Sequence, residues 1–151
     1  MYNILFVCTG NFYRSRFCEH YMTYLGELLK LPLSCSSKGF EIELADHVST
    51  IHGEISPFTI ERLKTFGIQI DNVKERESLL QSDIDRADIL VIIDKGEHSP
   101  YLKNFNISKT DTIFWTVKDI ADWSPNETLF NLESNCQKLS YKLWGEYHVE
   151  R

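Results

Sequence analysis

The stretch Tyr2-Asn3-Ile4-Leu5-Phe6-Val7-Cys8-Thr9-Gly10-Asn11-Phe12-Tyr13-Arg14-Ser15 decides how the rest of the chain is read. Its first half is an apolar run without a 3.6-residue period, and Gly10-Asn11 follows at once, the pattern of a buried strand entering a tight turn. From Ser15 onward Phe17, Met22, Leu25, Leu28 and Leu29 recur at helical spacing, with Glu19, Glu27 and Lys30 on the other side, until Pro32 ends the pattern. A strand, a turn and a helix therefore open the chain, with Cys8 and Arg14 at the two ends of the turn.

Further along, residues 33–39 read as a second strand and residues 40–55, with mixed charge, two histidines and Gly53, as a long surface loop. Ser56-Pro57 supplies an N-cap followed by Pro at the first helical position, and Phe58, Ile60, Leu63 and Phe66 give an apolar stripe that Gly67 closes. Residues 78–87 predict a short helix. Ile89-Leu90-Val91-Ile92-Ile93 is a continuous apolar run of the kind that strands buried on both faces carry, and Asp94 ends it. A short polar helix around residues 99–105 and a strand over residues 112–117 follow. Ser124-Pro125-Asn126-Glu127 is a capping box that starts a long final helix, with Leu129, Leu132, Leu139, Leu143 and Trp144 on its apolar side.

Strands that alternate with helices and lack polar alternation predict an α/β fold, a parallel sheet covered on both sides as a single three-layer domain over residues 1–151. The length of 151 residues suits one core. Ligands of such sheets bind beyond the carboxyl ends of the strands, where residues 8–15 and 118–123 stand out.

A formal charge of -6 gives an average field that repels phosphate backbones, which argues against nucleic acid and against an anionic membrane surface. No stretch approaches the roughly 18 apolar residues of a membrane span, and no signal segment is evident. A cytosolic setting is expected, with Cys8, Cys18, Cys35 and Cys136 reduced. Neither the cysteines nor His20, His47, His52 and His98 have metal-ligand spacing, so no metal and no cofactor is expected.

The chemistry is concentrated in residues 8–15. A loop of this length can curl its amide N–H groups toward one centre, and the following helix adds its N-terminal partial charge, together making a cradle for a tetrahedral dianion. Thr9, Gly10, Asn11, Phe12, Tyr13, Arg14 and Ser15 are the candidate phosphate-binding residues. Arg14 would supply a bidentate fork, and Gly10 and Asn11 are residue types that tolerate the left-handed backbone the curl needs. These donors favour Cys8 as a thiolate placed for in-line attack on phosphorus, and Ser15 is the natural donor to it.

Cys8-Thr9-Gly10-Asn11-Phe12-Tyr13-Arg14-Ser15-Arg16 resembles the signature C-x-G-N-x-C-R-S-P of the low-molecular-weight protein tyrosine phosphatase family. The resemblance extends through Glu19, Ser37-Lys38-Gly39, residues 57–67 and Arg86-Ala87-Asp88-Ile89. It implies a four-stranded parallel sheet flanked by helices, a phosphoenzyme formed on Cys8, and a phosphotyrosine protein or small aryl phosphate as substrate. Two positions depart from the pattern. Tyr13 replaces the family's second cysteine, which removes a protective disulfide. Arg16 replaces the Pro that opens the helix, and is either a source of positive potential at the mouth or a solvated helix residue.

A phosphatase of this kind needs a carboxylic acid to protonate the leaving oxygen. The family's Asp lies four residues after an aromatic at the end of the last strand, which here is Asp119 after Trp115, followed by Ile120 where the family has Pro. Asp122 is the alternative general acid in the same loop, or a partner of the positive end of the final helix. Phe12, Tyr13 and Trp123 are the aromatics available to line a crevice. Two other readings compete: an arsenate reductase on the same scaffold, which would need two closely spaced cysteines absent between Gly39 and Asn135, and a non-catalytic phosphate-binding regulatory module.

Overall fold

In Tyr2–Cys8, the first strand (β1), alternate side chains point to opposite faces of the sheet, and from Ile4 onward both sets are apolar and buried. Ile4, Phe6 and Cys8 join one buried cluster, whereas Leu5 and Val7 join another. The chain accordingly needs cover on both faces. The computed structural model of the protein describes residues 1–149, so the last two residues of the domain expected over 1–151 lie outside the described residues.

The elements run β1, α1 (Arg14–Leu28), β2 (Leu33–Gly39), a 3-10 turn (Ile42–Ala45), α2 (Asp46–His52), α3 (Pro57–Lys64), α4 (Gln81–Arg86), β3 (Ile89–Ile92), α5 (Lys95–His98), a second 3-10 turn (Ser99–Asn104), β4 (Asp111–Phe114) and α6 (Pro125–Val149). They form a single domain around one four-stranded sheet in the order β2-β1-β3-β4, with every strand pair parallel. Ile4 pairs with Cys35 on one side and Ile89 on the other, which puts Cys8, Gly39 and Ile92 along one edge. The larger cluster packs Phe17, Tyr21 and Met22 of α1, Leu63 of α3 and Leu129, Leu132 and Leu139 of α6 against the first face. The second face is covered by Ile84 of α4 with Leu79, Leu102 and Phe105. From β1 the chain crosses to β2 on one side and later reaches β3 on the other, so the end of β1 is the topological switch point, where a crevice forms.

Several expectations need correction. Residues 40–55 are not a loop but a 3-10 turn followed by α2, neither of which contributes a buried residue. The segment is helical without an apolar stripe, so its sequence carries no periodic signal. The last strand spans Asp111–Phe114 rather than residues 112–117, although Trp115 and Val117 still bond back to Ile92 and Ile93. The third strand ends at Ile92, the helix expected over 78–87 is confined to Gln81–Arg86, and α5 precedes the turn expected near 99–105. Glu19, assigned to the solvent side of α1, is buried and bonds to Ser37. Leu28 and Trp144, assigned to apolar stripes, are 61% and 44% exposed.

The cap signals match the structure: Ser56 Oγ accepts from Phe58 N at 3.2 Å, and Ser124 Oγ accepts from Glu127 N at 3.2 Å. No described helix is long and apolar enough to cross a membrane.

Leu132 of α6 is fully buried in the larger core cluster, whereas Phe130, two residues earlier, is 62% exposed. Urea denaturation should place Leu132→Ala about 2–5 kcal/mol below the wild type, the usual cost of a buried cavity. Phe130→Ala should stay within about 0.5 kcal/mol.

Candidate active site

Residues 9–13 connect the last residue of β1, Cys8, to the first residue of α1, Arg14. Every carbonyl from Cys8 to Tyr13 is bonded to a group outside the loop or further along α1. Cys8 O accepts from Phe40 N (2.9 Å), Thr9 O from Glu41 N (2.9 Å) and Phe12 O from Ser56 N (2.8 Å). Gly10 O accepts from Arg76 (3.2 Å), Asn11 O from Arg16 (3.1 Å), and Tyr13 O from Thr59 Oγ1 (3.0 Å) and Phe17 N (3.1 Å). In a trans peptide the N–H points opposite to the C=O, so these bonds turn the following amides toward the cavity that the loop lines. Among the described residues, none of the amides of residues 9–14 donates to another protein group. Asn11 sits at φ 50°, the left-handed conformation that Asn accepts more readily than most residues.

Beneath the loop a chain of hydrogen bonds has a fixed direction. Asn11 Oδ1 accepts from Glu77 N at 3.0 Å, which makes the Asn11 amide nitrogen the donor to both Ser15 Oγ and Ser37 Oγ, each at 3.0 Å. Ser37 in turn donates to Glu19 Oε1, and Glu19 pairs with Lys74 at 3.4 Å. Ser15 Oγ also lies 3.0 Å from Cys8 Sγ; the thiol donates to it, and a thiolate at Cys8 would take the Ser15 O–H proton instead.

Arg14 is buried, and its guanidinium is gripped from one side. Its Nη1 donates to Val117 O (2.9 Å) and Glu97 Oε1 (3.1 Å), and its Nη2 to Glu97 Oε2 (2.8 Å) and Asp119 Oδ2 (3.4 Å). Glu97 Oε2 also takes the Thr9 hydroxyl and lies 3.1 Å from His98 Nε2. His98 Nδ1 accepts from Asp94 N at 3.1 Å, so its proton is on Nε2 and faces Glu97. Burial alone would push the Glu97 carboxyl up, but the bonds from His98, Arg14 and Thr9 and the Arg14 charge outweigh it and hold it well below the usual carboxylate range. Burial likewise works against the Arg14 cation, and Glu97, with the nearby Cys8 and Asp119, more than reverses it, so Arg14 stays charged.

A cavity of about 560 Å³ opens above this floor, lined by Cys8, Thr9, Gly10, Phe12, Tyr13, Arg14 and Asp119 together with Leu44 and Val48 from the 3-10 turn and α2, Phe58 from α3, and Ile120. Asn11 and Ser15 lie buried below it. Asp122 is exposed and away from the lining; its amide donates to Asp119 O at 3.0 Å, closing a turn that holds Asp119 at the rim. Trp123 packs on the core instead of the cavity. Tyr13 is buried against Phe58, and its phenol is pushed up to about 12, chiefly by burial. Arg16 is neither at the mouth nor solvated: it is 1% exposed and reaches back under the loop. No group of three or more His, Cys, Asp or Glu among the described residues could hold a metal ion.

Sequence reasoning missed Glu97 and the wall formed by α2. A signal for Glu97 was present: Asp94-x-x-Glu97 directly follows a buried strand, and the Asp94 carboxylate caps Glu97 N at 3.0 Å, which starts a helix at the sheet edge facing residues 8–14.

In comparisons with solved structures, YwlE arginine phosphatase from Geobacillus stearothermophilus shares the fold at 21% identity and a TM-score of 0.75, over 100% of this chain and 98% of that one. Vibrio vulnificus Wzb, solved with benzylphosphonate, aligns at 17% identity and a TM-score of 0.74, over 93% and 98%. A thioredoxin-dependent arsenate reductase from Corynebacterium glutamicum aligns at 17% and 0.69, over 95% of this chain and 62% of that one. A search of curated proteins returns no match. The family model described as low molecular weight phosphotyrosine protein phosphatase matches residues 3–135, a span that holds all of the sheet but its first residue, the loop after β1, Glu97 and Asp119. The chain thus belongs to the low molecular weight phosphotyrosine protein phosphatase family.

Proposed function

We propose that the protein hydrolyses phosphate monoesters, of the protein-tyrosine-phosphatase type, through a cysteinyl-phosphate intermediate on Cys8. The observation that carries this reading is the position of Cys8 Sγ on the cavity floor, 3.0 Å from a serine hydroxyl and ringed by a loop whose carbonyls are all tied away from it. Substrate phosphate takes the amides of residues 9–14 and Arg14. Glu97 and Val117 O occupy three of the five guanidinium N–H groups, so the Nε–H and the Nη2–H that rests on Asp119 are the two left for phosphoryl oxygens. Glu97 orients that fork.

In the first step the Cys8 thiolate attacks phosphorus and forms the S–P bond as the bond to the leaving oxygen breaks, and Asp119 gives that oxygen its proton. In the second, Asp119 takes a proton from water, the water oxygen attacks phosphorus, and the S–P bond breaks to return the thiolate, which the Ser15 hydroxyl stabilises. Apolar walls from Phe12, Phe58, Val48 and Ile120 suit an aryl leaving group, and we read the substrate as a phosphotyrosine protein or a small aryl phosphate. The Vibrio neighbour solved with benzylphosphonate supports that class. Arsenate reduction would need a second thiol within reach of Cys8. Among the described residues Cys8 is the one cysteine in the cavity lining, and Cys18 and Cys136 are buried in the core. In the reducing cytosol, where we place the protein, Cys8 stays available.

Cys8→Ser should lose turnover of an aryl phosphate entirely yet retain vanadate or phosphate binding by calorimetry; appreciable turnover in that variant would remove the covalent mechanism. Arg14→Lys keeps the charge but cannot both hold Glu97 and fork the phosphate, so kcat should fall by roughly 10²-fold or more. Steady-state kinetics showing near-wild-type kcat would exclude Arg14 from the site. Asp119→Asn should depress hydrolysis of poorly activated esters far more than of esters with good leaving groups, and should flatten the basic limb of the pH–rate profile. Asp122→Asn should leave both readouts nearly unchanged, and the reverse pattern across a leaving-group series would move the acid role to Asp122.

A further inference from the structure

Two guanidiniums stand behind the loop after β1, on the side away from the cavity. Arg16, 1% exposed, donates from Nε to Asn11 O at 3.1 Å and from Nη2 to Lys74 O. Arg76 donates from Nη1 to Gly10 O at 3.2 Å and to Ile42 O at 2.6 Å, and from Nη2 to Asp46 Oδ1 at 2.8 Å. Its backbone N–H is held by Glu54 at 2.9 Å, and the next residue, Glu77, donates its N–H to Asn11 Oδ1. The stretch from Lys74 to Glu77 is therefore a brace laid across the outside of the loop.

We propose that Arg16 and Arg76 are positioning residues of the reaction, which set the orientation of the Asn11 and Phe12 amides by holding the carbonyls of the same two peptide units from behind. The Gly10 carbonyl and the Asn11 N–H belong to one planar unit, as do the Asn11 carbonyl and the Phe12 N–H. Pulling each carbonyl outward aims its paired N–H inward, and the left-handed Asn11 backbone, with φ at 50°, is a conformation that persists only where its surroundings hold it. Oriented donors cost no reorganisation when charge develops on the phosphoryl oxygens. The brace also carries charge. Burial pulls the Arg16 guanidinium down, while Glu19, Glu54, Cys8 and Glu77 act to keep it protonated, so two cations stand behind an anion site in a chain of net charge -6. A lysine cannot replace Arg16 in full, because one ammonium lacks the planar fork that reaches Asn11 O and Lys74 O together.

This inference rests on the reading of residues 8–15 as a phosphate cradle, and the test separates the two. Inhibition constants for inorganic phosphate, kcat/KM for an aryl phosphate, the pH profile of Cys8 alkylation by iodoacetate and the melting temperature are measured for wild type, Arg16→Met, Arg16→Lys, Arg76→Met, Arg76→Lys and Arg62→Met. Arg62 pairs with Glu133 between α3 and α6 and bonds to no carbonyl of the loop, and Arg62→Met should lose melting temperature only. The Arg16→Met and Arg76→Met variants should weaken phosphate binding about tenfold, lower kcat/KM by about 10²-fold and shift alkylation to higher pH, on the scale of losing one oriented donor. Arg16→Lys should fall between Arg16→Met and wild type. Wild-type phosphate affinity and alkylation profile in folded Arg16→Met, or in Arg16→Lys if the Met variant does not fold, overturn the inference, as does a loss confined to melting temperature like that of Arg62→Met. A wild-type protein that neither binds phosphate nor turns over removes the cradle reading and the inference together.

Discussion

A peptide unit cannot turn its N–H inward without turning its C=O outward, and a buried carbonyl left without a donor is costly. A loop that offers consecutive amides to one point must therefore find a separate donor for each carbonyl. Here those donors are seven residues from four stretches of the chain: Phe40 and Glu41 after β2, Arg16 and Phe17 in α1, Ser56 and Thr59 around α3, and Arg76 before α4. The parallel sheet makes this possible. β1 lies between β2 and β3, so the loop at its end is flanked by the chain on both sides. Gly39 shows how close that flank is: a Cβ there would lie 2.7 Å from Thr9 O and 3.0 Å from Asn11 N.

The electrostatics follow the same division between inside and outside. The surface is acidic on balance, yet the loop is backed by Arg16 and Arg76 and faced by Arg14. Each of these cations has carboxylates nearby: Glu97 and Asp119 for Arg14, Asp46 and Glu54 for Arg76, and Glu19 with Glu77 near Arg16. Paired in this way, the arginines can be buried, and the unpaired positive end of the arrangement is left to the loop amides.

What could be read from the sequence followed the strength of its periodic signals. β1, the apolar strand at Ile89–Ile92, and α1, α3 and α6 announce themselves through apolar runs or caps that the core then uses. α2 did not, because a helix that buries nothing needs no stripe, and its helical form depends on neighbours brought in by the fold. Arg16 shows a different gap. Its position three residues into a helix after a glycine-containing turn looks like solvent, and only the return of Lys74 to the same place buries it. Glu97 and Arg14 are 83 residues apart, so their pairing depends on β1 and β3 being neighbours in the sheet.

The absence of buried residues in α2 has a bearing on how this scaffold diversifies. Its side chains face either water or the cavity, and its attachment to the rest is made by Arg76 with Asp46 and by Ala45 lying against Gly10. Exchanges at His47, Val48, Ile51 or His52 leave the hydrophobic interior untouched and so carry little stability cost. The loop after β1 has no such latitude, since each of its peptide units is fixed by a partner. One wall of the crevice can thus change in sequence at little cost to the fold, while the floor is fixed in shape by its own hydrogen bonding.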